Sequence, residues 1–336
     1  MRYPLRKTIA VSAYMVAMAA MPAFSQSTHN SADTLQLEAK IPLGDVRGRI
    51  DHMAVAPKRH RLIVAELGND TVSVVDLAKK IVIQRIAGLK EPQGVGYEPS
   101  SDTLFVTNAR DGSVKFFEGD AYKAAGSIDL GEDADNIRVD APTKRVIIGY
   151  GDGALAVLDA ASRNRVENVR LKAHPESFQL DQSSGRIFVN LPDAHAVAVL
   201  DGESGKQVAT WPMDKGSNFA MALDRDRNRL LVVFRKPPAL AVLSMADGKR
   251  IATVDTCGDV DDLFVDQKRS RVYVSCGAGF VDVFEIDGTT YRRVSRIPTA
   301  PGARTSFFAP ELDRLLVATR ATSAEPAAIW IFRPFH

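Results

Sequence analysis

Seven polar residues recur at one position of a repeating segment, and their side chains are suited to bind a polar ligand. Successive members are 41 to 43 residues apart, and the set is Asp51, Gln93, Asp135, Glu176, Asn218, Asp261 and Arg304. If the repeats surround one axis, the four carboxylates repel each other, and a cation, an amine or shared protons should relieve that repulsion. A hard divalent cation such as calcium fits oxygen ligands, although the spacing does not require one. The sequence shows no motif for another cofactor.

Neighbouring positions and loops expected on the same face enlarge this candidate ligand-binding site. They add His52, Asn136, Asp262, His174, His195 and Arg235. The alternative is that all these side chains only satisfy backbone groups or bind ordered water in a channel. Catalytic residues stay unassigned, because neither GxSxG nor HExxH occurs and no Ser–His–Asp order is readable.

A second repeated segment shares the same period and indicates the secondary structure. It starts eleven residues after the beginning of the first segment, which is Ile50 in the first unit. It reads RLIV at 61–64, TLFV at 103–106 and RVYV at 271–274. Within each unit, apolar residues alternate or run in short blocks bounded by Gly, Asp, Asn and Pro, which is typical of strands. The first unit predicts strands at about 52–56, 61–66, 71–76 and 81–86. Four antiparallel strands in about 42 residues form one blade of a β-propeller.

The two ends of the sequence predict how the ring of blades closes. The seventh unit predicts three strands, near 305–309, 314–319 and 329–332, while an additional strand at 35–41 precedes the first unit. Placing that strand in the seventh blade completes it, whereas an open ring would expose sheet edges to aggregation. The sequence therefore predicts an all-β fold, a seven-bladed β-propeller of four-stranded antiparallel blades, as one domain over residues 34–336.

The N-terminal residues predict export. Arg2, Arg6 and Lys7 precede an apolar stretch over about 9–20, and the small residues Ala23 and Ser25 follow it. This pattern is typical of a secretory signal peptide over residues 1–25, followed by a flexible tail over 26–33. The alternative is a membrane anchor, but the apolar stretch is shorter than the ~20 residues that span a bilayer. We expect a periplasmic or secreted protein with no membrane span after cleavage.

Charge and composition exclude several classes of protein. The chain has 336 residues with 43 Lys or Arg and 41 Asp or Glu, and removal of three basic leader residues changes the net charge from +2 to −1. A nearly neutral surface does not favour nucleic-acid binding. With 45% hydrophobic residues, the chain is also not a disordered polymer. We expect a monomer.

Two cysteines are placed where they could meet. Cys257 is predicted to end the fourth strand of the fifth unit and Cys276 the second strand of the sixth. Both ends lie on the same face of adjoining blades, so a disulfide is sterically plausible in an oxidising compartment. Two free thiols are the alternative.

Short motifs indicate a family. The sequences FVTN at 105–108, YVS at 273–275 and FVN at 188–190 look like the signature of YVTN-repeat propellers, and 69–76 and 153–159 look like their third strands. Over 34–334 the chain resembles exported YncE-like, YVTN-family seven-bladed β-propellers. The resemblance is specific for fold and carries no catalytic motif of the architecturally similar lactonases, streptogramin-type lyases or nitrite reductase haem domain.

Two functional hypotheses follow for the same face. The first is an exported binding or interaction scaffold that takes a small polar ligand or a protein partner at the central channel mouth. The second is a lactonase-like hydrolase or a lyase that uses acids and histidines at that mouth. Haem binding through an axial histidine ranks last, because CxxCH is absent. Fold alone does not choose among them.

Overall fold

The structure is a ring of seven four-stranded antiparallel sheets, and it confirms the predicted fold class. It is a computed structural model that describes residue 1, residues 34–214 and residues 216–335. The predicted leader at 1–25 and tail at 26–33 lie outside the described residues, apart from Met1. In the described part of the chain, no helix is both long and apolar enough to cross a bilayer.

The strands run outward from the central axis in chain order within blades 1 to 6. Blade 1 contains β2 (Met53–Ala56), β3 (Arg61–Glu66), β4 (Thr71–Asp76) and β5 (Ile81–Ile86). Blade 2 contains β6 (Pro92–Glu98), β7 (Thr103–Asn108), β8 (Ser113–Glu118) and β9 (Lys123–Asp129). Blade 3 contains β10 (Ala134–Asp140), β11 (Arg145–Tyr150), β12 (Ala154–Asp159) and β13 (Arg165–Arg170). Blade 4 contains β14 (Phe178–Asp181), β15 (Arg186–Leu191), β16 (Ala196–Asp201) and β17 (Gln207–Pro212). Blade 5 contains β18 (Asn218–Asp224), β19 (Arg229–Arg235), β20 (Pro238–Ser244) and β21 (Arg250–Asp255). Blade 6 contains β22 (Val260–Asp266), β23 (Arg271–Cys276), β24 (Phe280–Asp287) and β25 (Thr290–Pro298). Short 3₁₀ turns occupy Pro57–Arg59, Leu67–Asn69 and Gln267–Arg269.

Blade 7 is assembled from both ends of the chain, as predicted. It contains β26 (Ser306–Ala309), β27 (Arg314–Thr319), β28 (Ala328–Pro334) and, as its outer strand, β1 (Leu35–Pro42). β1 pairs antiparallel with β28, with Ile41 opposite Ile329. This pairing closes the ring through backbone hydrogen bonds.

The burial of each strand explains its pattern of apolar and polar residues. The middle strand β3 is covered on both faces by neighbouring blades, so Leu62, Ile63 and Val64 are all fully buried. The outer strand β5 has one face toward solvent, and its exposure alternates along the strand. Apolar clusters between adjacent blades therefore hold the ring together, since each blade buries both faces only against its neighbours.

Blades 5 and 6 are joined by a disulfide, which the sequence left open against two free thiols. Cys257 and Cys276 are bonded, with their Cα atoms 5.8 Å apart. Cys276 ends β23 as expected, but β21 ends at Asp255, so Cys257 lies two residues beyond its strand. The disulfide joins the two blades on the face where the inner strands begin.

Candidate functional site

The candidate site lies at the channel mouth, which we define as the face of the ring where the innermost strands β2, β6, β10, β14, β18, β22 and β26 begin. In β10 and β22 the pairing register shifts at Asp135 and Asp261. Such a bulge leaves a residue unpaired and redirects its side chain. The polar positions therefore fall where the inner strands leave their ladders.

Asp51 is the most deeply buried acid of the mouth, with a side chain 1% exposed. Arg49 Nη2 lies 2.9 Å from its Oδ2 and His52 Nε2 lies 3.7 Å from its Oδ1. Neither carboxylate oxygen accepts a hydrogen bond from a described residue. Burial raises the pKa of Asp51 to about 6, although His52 and Arg49 oppose that rise. A buried carboxylate without hydrogen bonds is costly unless a bound group satisfies it.

His52 lies between carboxylates of blades 1 and 6. Its Nδ1 is 3.6 Å from Asp262 Oδ1, and its Nε2 is 3.0 Å from the amide nitrogen of Asn136. Burial alone would lower the pKa of His52, but Asp262, Asp51 and Asp135 outweigh burial and raise that pKa to about 10. Asp262 is itself held by the backbone N–H of Ser306, which donates to its Oδ2 at 2.9 Å. The surrounding carboxylates therefore favour the protonated form of the imidazole.

Four guanidinium groups form what we call the arginine sector, which consists of Arg49, Arg235, Arg304 and Arg320. Asp261 pairs with Arg235 and with Arg304, whose Nε is 2.8 Å from Oδ2. Burial would raise the pKa of Asp261, but the neighbouring arginines lower it below its ordinary value. Arg235 also stacks on Phe219, with Cζ 3.5 Å from the ring centroid. Asp261 is therefore an anion that is shared by Arg235 and Arg304 and lies 3.9 Å from Arg49.

Arg320 is the member of the arginine sector with the fewest compensating charges. Its pKa lies below the ordinary value because burial disfavours the charge and because Arg304 and Arg49 repel it. Its Nε is buried and makes no hydrogen bond with a described residue. Arg320 can therefore bind an anionic group or donate a hydrogen bond to an acceptor on a ligand.

Blades 3 and 4 supply the opposite charge, in what we call the acidic sector, which consists of Asp133, Asp135 and Glu176. Burial, and then the charge of Asp135, raise the pKa of Glu176 to about 7. His174 Nε2 lies 3.7 Å from Asp135 Oδ2, and its Nδ1 lies 2.7 Å from the carbonyl oxygen of Gly151. Burial would lower the pKa of His174, but these acceptors raise it to about 9.

Three of the candidate residues lie apart from these contacts. Gln93 is half-buried, and its carbonyl accepts from the backbone N–H of His52 at 3.2 Å. Asn218 is fully buried and its Nδ2 donates to Asn190 Oδ1 and to the carbonyl of Ala196, both at 3.0 Å. His195 is exposed in the turn before β16, where a Cβ on Gly216 would fall 2.8 Å from its Cε1. The remaining ten predicted residues cluster at the mouth: Asp51, His52, Asp135, Asn136, His174, Glu176, Arg235, Asp261, Asp262 and Arg304.

Sequence reasoning left out several charged residues of the mouth. Three of them, Arg49, Asp133 and Asp259, lie two residues before a polar repeat position. That shared spacing is a periodic signal from which they could have been predicted. Arg138 carries no such signal, since it lies inside β10. Its Nη1 donates to the carbonyl of Ile137 at 2.8 Å, and burial lowers its pKa.

The mouth opens into the central channel. A cavity of about 430 Å³ runs along the innermost strands and is lined at its mouth end by His52, Asn136 and Asp262. Its volume is in the range of small-molecule sites, about 300–1,000 Å³. The mouth can therefore take a ligand that extends below the ring of charged groups.

A divalent cation such as calcium, which the sequence allows but does not require, stays untested. Among the described residues, no group of three or more His, Cys, Asp or Glu side chains is arranged to hold a metal ion. Repulsion between the acids is instead offset by cations of the protein, as Arg49 does for Asp51 and His174 for Asp135.

Comparison with solved structures supports the fold. A chain of Kuenenia stuttgartiensis hydrazine synthase is 17% identical with a TM-score of 0.73, covering 85% of this chain and 96% of that one. A chain of the mitotic checkpoint complex is 14% identical with a TM-score of 0.75, covering 98% and 99%. The WD40 repeats of RRP9 are 11% identical with a TM-score of 0.76, covering 90% and 98%. At these identities the likeness shows a shared propeller architecture. No family model and no curated protein matches the sequence.

Proposed function

We propose that this propeller is an exported binding module that takes a small polar ligand at the channel mouth. Propellers commonly serve as interaction scaffolds. The observation that carries the proposal is Asp51, whose buried carboxylate is paired in charge with Arg49 but accepts no hydrogen bond on either oxygen from a described residue. A ligand hydroxyl or ammonium group that donates to Asp51 would offset that cost. The YVTN-like motifs and the disulfide are both consistent with an exported protein.

The arrangement of charge indicates the ligand's chemistry. The arginine sector occupies blades 5, 7 and 1, and the acidic sector occupies blades 3 and 4. A ligand across the mouth meets Arg320 on one side and Glu176 on the other. We expect a molecule with an acidic or acceptor group at one end and hydrogen-bond donors at the other, as in amino acids and hydroxy acids.

Thermal-shift titration and calorimetry test this function with L-amino acids and 2-hydroxy acids as probes. We expect a saturable rise in Tm with at least one probe, which Asp51→Asn and Arg320→Gln abolish. Asp193→Asn removes an exposed acid from a loop on the same face and should leave binding unchanged. If no probe binds, or if binding survives Asp51→Asn, the proposed mouth site is wrong.

A hydrolase or lyase at the same mouth is the second candidate, and Glu176 favours it. A pKa of about 7 suits a general base at neutral pH. If the mouth is catalytic, Glu176→Gln should lower turnover on a panel of lactones by roughly 10²-fold or more. Glu132→Gln, which alters an exposed acid nearby, should keep full turnover. Absence of turnover with binding retained would leave the binding module as the function.

A further inference from the structure

A second cavity lies between blades 3 and 4, at the face opposite the mouth. Its volume is about 520 Å³, and its rim is formed by the turns that follow β10, β14 and β16. Its apolar walls are Ile147, Leu155, Val157, Val169, Leu180 and Ile187. We call it the blade 3–4 cleft. None of its lining residues belongs to the channel mouth.

One repeat position supplies a side chain that fills some of these clefts. It precedes the outer strand by one or two residues or is its first or second residue, and we call it the plug position. Its occupants are Leu35 in blade 7 and, in blades 1 to 6, Lys80, Tyr122, Arg163, Gly205, Gly248 and Tyr291. Tyr122 and Gly205 share the left-handed backbone conformation, with φ of 46° and 63°. The backbone at Gly205 is therefore compatible with the conformation that carries a tyrosine in blade 2.

Two clefts are filled by a tyrosine under an arginine. Between blades 1 and 2, Tyr122 is buried with its ring centroid 5.5 Å from Arg61 Cζ. Between blades 5 and 6, Tyr291 is buried with its ring centroid 5.7 Å from Arg229 Cζ. In both clefts the arginine also donates to a carbonyl of the turn that precedes the outer strand. The ring and the guanidinium form one repeated packing unit.

The blade 3–4 cleft has the corresponding arginine, Arg145, but no tyrosine ring beside it. Arg145 Nη1 donates to the carbonyl of Gly202 at 3.3 Å, as its counterparts do. The plug position is Gly205, where a Cβ would meet the carboxylate of Glu167 and lie 2.8 Å from Val169 Cγ2, so a side chain there would displace Glu167 as it entered the cleft.

The neighbouring cleft shows a second way of filling the same space. Between blades 4 and 5 the plug position is also glycine, Gly248, but the indole of Trp211 lies against it. Trp211 is 42 residues after Val169 and occupies the corresponding position of the outer strand. The blade 3–4 cleft therefore lacks both the tyrosine and the tryptophan that fill its counterparts.

The rim of the cleft is acidic. Its lining carboxylates are Asp140, Glu167, Asp181, Asp201 and Glu203, and its lining cations are Arg145 and Arg186. Arg225, outside the lining, pairs with Asp181, so four carboxylates stand against the two lining cations. This excess of negative charge attracts a cation and repels an anion.

We propose that the blade 3–4 cleft binds a small aromatic amine. The aromatic ring takes the place that Tyr122 and Tyr291 occupy in their own clefts and stacks on Arg145. The ammonium group extends to the rim, where Glu167 of β13 and Glu203 of the turn between β16 and β17 line the cleft. A cavity of this size and apolar lining suits such a ligand.

Isothermal calorimetry with tyramine, 4-ethylphenol and 3-(4-hydroxyphenyl)propionate tests this site. The three probes share the ring and differ in the charge of the side chain. We expect saturable tyramine binding, at least tenfold weaker binding of 4-ethylphenol and no binding of the propionate. Equal affinity for tyramine and the propionate, or no saturable tyramine binding, would overturn the proposal.

Variants that fill the cleft locate the binding. Gly205→Tyr and Val169→Trp introduce the two fillers seen in other clefts, and each should abolish tyramine binding. Gly205→Tyr must also displace the carboxylate of Glu167, so we expect it to lower Tm, whereas Val169→Trp should keep Tm. Val208→Trp adds the same indole at an exposed position of β17 and should keep tyramine affinity within twofold. Tyramine binding that survives in both filled variants contradicts the site, and if Gly205→Tyr does not fold, Val169→Trp alone decides.

Discussion

The imidazole of His52 lies against the carboxylate of Asp262, with 3.6 Å between Nδ1 and Oδ1, and the two residues come from blades 1 and 6 of the ring. The pair crosses the channel mouth and is only partly exposed. Because the carboxylates raise the pKa of His52 to about 10, the folded protein holds a proton that the unfolded chain releases near pH 6.5.

The first prediction is that stability falls as pH rises from about 6.5 to 10. His52 has a folded pKa above its unfolded value, so its contribution is complete below pH 6.5 and is lost as pH rises through about 10. Asp51 and Glu176 act in the same direction at lower pH, since their pKa values are raised to about 6 and about 7. Urea unfolding at a series of pH values should show this decline.

Two histidine variants isolate the effect. His52→Asn should make the decline between pH 7 and 10 shallower, because it removes one of two titrating groups and leaves His174, whose pKa is raised to about 9. His60→Asn is the matched control, since His60 is exposed on the opposite face and its left-handed backbone, with φ of 51°, tolerates asparagine. An unchanged slope in His52→Asn would contradict a charged imidazole at position 52.

The architecture was predictable because each unit repeats the same burial pattern. Strands β3, β4 and β5 have the bounds predicted from the sequence, and β2 differs only by starting at Met53. Alternation between buried and exposed residues is a local signal that one sequence carries. Closure by β1 was also predictable, because the seventh blade lacked a strand and a free strand was available.

The candidate site was only partly predictable, because its contacts join residues far apart in sequence. The repeat placed Asp51 and Asp261 on the same face, but it did not indicate that Arg49 lies near both. Asn218 shares the polar repeat position, yet its amide hydrogen-bonds between blades 4 and 5. Side-chain direction depends on bulges and neighbouring blades, and the period alone does not specify it.

Loss of the disulfide should destabilise the ring by about 3 kcal/mol, as loop-closure entropy predicts for a loop of this length. Cys257 and Cys276 are separated by 19 residues in the chain. Urea unfolding should give the same reduced stability for the wild type in dithiothreitol and for the Cys257→Ala/Cys276→Ala variant without it. Thiol titration of the unreduced, unfolded wild type should find no free thiol. Two reactive thiols under those conditions would refute the bond.

Asp261→Asn should destabilise the mouth more than loss of either partner arginine. The carboxylate is shared by Arg235 and Arg304, so each arginine variant leaves Asp261 one close cation. Removal of one partner from a buried ion pair costs about 3–5 kcal/mol. We expect a loss near the lower end of that range for Asp261→Asn and a smaller loss for Arg235→Met or Arg304→Met, measured by urea unfolding. Asp111→Asn, at an exposed position, is the control. Equal losses in all three mouth variants would show that Asp261 is not the shared centre.

The closing strand offers the sharpest test of how the ring is stabilised. Ile41 of β1 is fully buried between blades 7 and 1, whereas Leu37 of the same strand is 41% exposed. Ile41→Ala should cost about 2–5 kcal/mol, because truncation leaves a cavity in that cluster. Leu37→Ala should cost less than about 1 kcal/mol, since it lies largely in solvent. Deletion of residues 34–44 should remove the cooperative unfolding transition. If the deletion variant kept the wild-type Tm, β1 would not be the strand that closes the ring.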